Sequence, residues 1–146
     1  SAFGGSAPEK LLEVPDLAPA IEVTRDSPRI LFQAYHNNTW DVFCVRLDSN
    51  PRTPTAYAAT AANEGSPQLS PDGKWAAFLS DEWGRNEAYV RSFPEPSARA
   101  QVSAEGAQEI VWSDDGRTIF YRSGLALLNE PATFWKSASR ALVTAP

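Results

Sequence analysis

The chain has 146 residues, 42% of them hydrophobic, with 13 basic against 18 acidic side chains and a net charge of −5. That length suits one domain of about 100–200 residues, and the apolar share is enough for a core. The acidic balance argues against nucleic acid and anionic membrane surfaces, which select clustered Lys and Arg, and no run approaches the ~18 apolar residues of a membrane span.

Cys44 and His36 are the sole residues of their types. An intrachain disulfide is therefore excluded. A zinc site of the common Cys/His kinds needs about three or four such ligands. No metal and no cofactor is expected. The absence of Met suggests a processed product or a piece of something larger.

Residues 1–8 are small and flexible and read as a linker or cloning remnant. Glu9–Glu13 resembles the outermost strand of a preceding unit. From residue 17 onward a unit recurs. Its first copy, 17–60, predicts strands at Pro19–Val23, Arg29–Ala34, Asp41–Leu47 and about Thr53–Tyr57. The second, 61–104, predicts Ser66–Ser70, Trp75–Ser80, Glu87–Phe93 and Arg99–Ser103. The third, 105–146, predicts Gln108–Ser113, Thr118–Arg122, a shortened strand within Ala126–Trp135, and Arg140–Thr144.

The repeat is read from its turns. Asp115-Gly116 follows Asp72-Gly73 by 43 positions, and Phe78 follows Phe32 by 46. Asp-Gly between apolar runs predicts hairpins with type I′ turns, and Asp26-Ser27 is a degraded copy. Outside the C-terminal tail no 3.6-residue apolar period is sustained, so helices should be scarce. Four antiparallel strands per ~40–45 residues is the period of a β-propeller blade. The expected fold is all-β, about three four-stranded blades forming an open arc or half propeller over 9–146.

Glu64 through Trp75, with Ser70-Pro71-Asp72-Gly73-Lys74 at its centre, resembles the repeat of TolB-type, WD-repeat-like propellers. The run from Ser80 to Pro94 is similar to the C-terminal propellers of bacterial transmembrane serine/threonine kinases. Val111-Trp112-Ser113-Asp114-Asp115-Gly116-Arg117 continues the likeness. It is fullest over 60–124. Trp83 departs from it, standing where such loops usually carry a small residue. The resemblance implies the extracytoplasmic sensor half of a bacterial receptor kinase, although no kinase motif lies in this chain. Because propellers have roughly 4–8 blades, three should be a fragment of a larger ring, completed by the parent's other blades or by a second copy. Such a dimer would be a six-bladed ring with Glu9–Glu13 as its clasp.

Chemistry-bearing residues have plain structural readings. Asp81, Glu82 and Glu87 around Arg85 read as a solvated turn rather than an acid/base pair. Asp72, Asp114 and Asp115 read as turn residues, since calcium needs roughly six to eight oxygens. No nucleophile elbow accompanies His36, which falls in a loop with Asn37 and Asn38. Cys44 reads as a small buried hydrophobe. Phe32, Phe43, Trp75, Phe78, Tyr89, Trp112 and Tyr121 read as core between blades. What remains is one propeller face, collecting His36, Asn37, Asn38, Trp40, Asn63, Glu64, Trp83, Arg85, Gln108 and Glu109. Trp and Arg favour interfaces. The expectation is a non-enzymatic module that binds a protein or small ligand there. The alternatives are a gating propeller of a prolyl-oligopeptidase-type hydrolase and a ligand-free self-assembling fragment.

Overall fold

The computed structural model describes residues 5 and 7–131. Among these there are eleven strands and no helix. Strands β1 (Leu17–Val23), β2 (Arg29–His36), β3 (Thr39–Arg46) and β4 (Thr55–Ala58) form the first sheet in that order. β5 (Glu64–Leu69), β6 (Trp75–Ser80), β7 (Glu87–Ser92) and β8 (Ala100–Gln101) form the second. β9 (Glu109–Trp112), β10 (Thr118–Ser123) and β11 (Ala126–Pro131) form the third. All pairings are antiparallel. Each sheet is a propeller blade, and the expected strand at Arg140–Thr144 lies outside the described residues.

Alternation puts apolar side chains on both faces of each blade, as stacked blades require. Leu31, Val42 and Cys44 of the first blade meet Ala76, Phe78, Tyr89 and Phe93 of the second in one buried cluster. Ala77, Leu79, Ala88 and Val90 meet Ile110, Trp112, Ile119 and Tyr121 in the next. The innermost strands β1, β5 and β9 stand side by side, since β5 contacts both of the others. Phe32 and Phe43 keep the aromatic register but face away from the second blade. They stack on each other at 5.9 Å, beside Leu12 and Val14.

The Asp-Gly turns differ from the type I′ expectation. Positive φ is confined to Gly73 (65°) and Gly116 (66°) within them. Gly73 N–H donates to the Ser70 carbonyl at 2.8 Å, and Gly116 N–H to that of Ser113 at 2.9 Å. The Asp is held at negative φ because its carboxylate accepts a backbone N–H two residues on, from Lys74 at 3.1 Å or Arg117 at 2.9 Å. The Ser hydroxyl then accepts from Trp75 or Thr118 at 3.0 Å. Thr24 accepts in the same way from Arg29 at 3.2 Å, so the first blade keeps the hydroxyl without the glycine. The true type I′ hairpin is Asn37-Asn38, with φ of 50° and 70° between the paired His36 and Thr39.

Residues 9–14 form no strand within the chain. They lie on the first blade's outward face, where Arg52 binds Glu9 at 3.1 Å and the Leu11 carbonyl at 3.2 Å. Leu12 precedes Tyr57 by 45 positions, and Tyr57 precedes Val102 by 45. Tyr57 and Val102 each belong to the cluster shared with the following blade.

Candidate functional site

The turns β2–β3, β6–β7 and β10–β11 share one rim with the connectors that lead into β5 and β9. Hydrogen bonds fasten turn to connector. Trp40 N–H donates to Asn63 Oδ1 at 3.1 Å, joining the first blade to the second. Asn63 donates to Asp81 twice, through its backbone N–H and its amide, both at 2.8 Å. These bonds, the side-chain amide first, hold the Asp81 carboxyl below the usual carboxylate range. In the third blade, Gly124 N–H donates to Gln108 Oε1 at 2.9 Å and Ser123 Oγ to the Glu105 carbonyl at 2.8 Å.

Two carboxylates lie beneath the rim rather than on it. Glu64, named above as a rim residue, is fully buried. Its oxygens accept from Thr60 Oγ1 at 2.5 Å, Thr60 N–H at 3.0 Å and Ser80 Oγ at 3.2 Å. It is a structural group, inaccessible to a ligand. Glu87 is likewise buried. Burial pushes its carboxyl up, but bonds from Ser103, Arg85 and the Gly106 N–H outweigh this and leave it lowered. Arg85 is engaged by that carboxylate at 2.6 Å and by the Ala104 carbonyl.

Glu109 sits on β9 and accepts from Arg122 at 3.0 Å. His36 ends β2, with Nδ1 3.7 Å from the buried Asp41 carboxylate. The Thr39 hydroxyl beside it donates to the His36 carbonyl. No Ser, Thr or Cys side chain is hydrogen bonded to that imidazole among the described residues. Burial pushes the Cys44 thiol up, ahead of the opposing charge of Arg29, so it is no ready nucleophile. Among the described residues no group of three or more His, Cys, Asp or Glu is placed to hold a metal ion.

Trp83, like Leu125 of the β10–β11 turn, is an exposed large side chain on this rim. The indole is 74% exposed, at a turn closed by the Gly84 N–H on the Asp81 carbonyl at 2.9 Å. Gly84 takes φ 87° there, a conformation that favours glycine. Depressions flank the turn on two sides. One of about 510 Å³ is lined by Trp83, Arg85, Gln101 and Ala104. The other, of about 330 Å³, is lined by Thr60, Ala62, Asp81 and Glu82.

Sequence reasoning missed a concavity of about 770 Å³ at the opposite ends of the innermost strands. Thr24, Asp26, Pro71, Asp72, Trp112 and Ser113 line it. The signal was available, because the three β1–β2, β5–β6 and β9–β10 turns are repeat equivalents and must converge near the axis. Burial pushes the Glu22 carboxyl up at its wall, partly offset by the Leu69 N–H.

No family model matches the sequence, and no curated protein does. Solved structures match its fold. TolB from Acinetobacter baumannii aligns with a TM-score of 0.66 at 19% identity, over 86% of this chain and 32% of that one. A second TolB-named protein, from Agrobacterium tumefaciens, gives 0.56 at 20% identity, over 64% and 34%. An acylaminoacyl peptidase gives 0.50 at 18% identity, over 80% and 20%. The chain thus spans about a third of the TolB structures it resembles. At these identities the likeness establishes the fold, a set of TolB-like propeller blades.

Proposed function

We propose that this chain is a non-enzymatic part of an extracytoplasmic propeller, in the sensor region of a bacterial receptor-type kinase, and that it binds a protein or small ligand at the Trp83 rim. One observation carries the reading. Trp83 is 74% exposed, whereas Trp112 is buried and Trp40 and Trp75 are half-buried. A solvated indole on a turn held by hydrogen bonds meets a partner with little ordering cost. The rim bonds of Asn63, Asp81 and Glu87 supply that rigidity. The assignment to a kinase rests on the sequence likeness over Ser80–Pro94.

The test is retention of envelope components by the immobilised chain and by its Trp83→Ala variant, read by mass spectrometry. A component held by the parent and lost by the variant supports the reading. Identical retention by both overturns it. The parent reading frame tests the kinase assignment. A kinase domain and membrane span upstream support it; an α/β-hydrolase domain downstream replaces it with a gating propeller.

A further inference from the structure

We propose that the outward face of the third blade docks on the outward face of the first blade of a second copy, so that two chains close a two-fold ring of six blades. The chain builds the interface this requires twice within itself. Leu31, Ala77 and Phe120 occupy one repeat position, paired across their sheets with Cys44, Val90 and Asn129. Val42, Ala88 and Leu127 occupy another, paired with Gln33, Leu79 and Arg122. In the first two blades these positions face the following blade, and Leu31, Val42, Ala77 and Ala88 are all 0% exposed. In the third blade Leu127 is 75% exposed and Phe120 half-buried, with Val111 56% exposed on the same face.

The opposite half of the interface is equally recognisable. Phe78 and Tyr89 of the second blade receive the first blade. Phe32 and Phe43 are their equivalents, 46 positions earlier, on the first blade's outward face. Beside them Ile21 is 47% and Val23 62% exposed. Each outward face is thus one half of a junction whose other half the same chain carries.

Joining the two halves within one copy would need a ring of three blades, below the roughly four to eight of known propellers. Joining them between two copies gives six. A two-fold axis makes the two junctions identical and closes the assembly, leaving no end for further copies. Leu12, 45 positions before Tyr57, packs on the first blade as Tyr57 packs on the second. The occupant has the first blade's register, which a second copy carries.

Light scattering on the eluting 146-residue chain tests this. The expected mass is twice 15.9 kDa at micromolar concentration. A 15.9-kDa species with a cooperative melt overturns the proposal and leaves these faces to further blades of a longer polypeptide. A mass growing without limit overturns ring closure. Leu127→Glu and Ile21→Glu alter side chains that the single copy leaves exposed, so each variant should keep a cooperative melt and elute as a monomer. Either variant remaining fully dimeric overturns the junction. An equimolar mixture of the two retains one junction with both faces native. It should recover dimer where neither variant alone does. A mixture that stays monomeric at hundreds of micromolar overturns the head-to-tail arrangement.

Discussion

Trp112 of the third blade donates its indole N–H to the Gln68 carbonyl of the second blade at 3.0 Å, across 44 positions of chain. The bond satisfies a carbonyl of an innermost strand while the ring fills the cluster between the blades. Trp112→Ala should destabilise by ~3–5 kcal/mol through lost burial and a cavity. Trp112→Phe keeps most of the apolar surface and removes the donor, which should cost ~1–2 kcal/mol. Urea denaturation of the two variants checks the order.

Gly73 and Gly116 isolate the conformational cost of a side chain at positive φ. Both hold positive φ, yet a Cβ at Gly73 would meet nothing within 4 Å, while one at Gly116 would touch Pro71 Cδ at 3.4 Å. Gly73→Val should cost about 1–2 kcal/mol, from backbone conformation alone. Gly116→Val should cost a similar amount, because a Cβ there makes only ordinary contact with Pro71. Gly73→Asn should be nearly neutral, since Asn tolerates the left-handed region. Thermal melts compare the three.

Glu64 should behave as a structural hub. Glu64→Ala strips acceptors from Thr60 and Ser80 and opens a void, costing ~2–4 kcal/mol. Glu64→Gln keeps the shape and one oxygen and should cost roughly half as much. Equal losses in urea denaturation would show that the hydroxyl bonds contribute nothing.

Acid stability follows from Asp81 and Glu87, whose carboxyls are lowered in the folded chain. A lowered group contributes stability that is fully present above its unfolded value, about 3.9 for Asp and 4.3 for Glu. That contribution is lost as pH falls through the folded value. Urea midpoints should be flat above about pH 5 and drop below about pH 4. Asn63→Ala removes the amide that most lowers Asp81, so it should shrink the drop while lowering the plateau.

Much of the architecture was legible because it is written in residues close together. A Ser, then an Asp two positions on, then a Gly, sets a turn through bonds spanning at most five positions. Alternating apolar residues beside that turn set strands, and recurrence after 43 positions sets blades. Trp83 was likewise legible as the odd residue in its loop.

Tertiary structure decided whatever depends on groups a repeat apart. The rim assignment of Glu64 placed its backbone near the turns, but its depth follows from Ser80, Thr60 and the covering blades. Arg85 looked available in sequence and is engaged by Glu87 and the Ala104 carbonyl. Asp72 and Asn37 both precede turn residues, yet only the Asn37 turn is type I′. Short-range side-chain bonding holds Asp72 at negative φ, whereas Asn37 closes a two-residue link whose geometry is set by its flanking strands. The sequence alone determined turns, strands and period, because their energies are local. Only the folded chain decided which polar groups are consumed within it and which apolar side chains among the described residues stay exposed, because both depend on how blades stack.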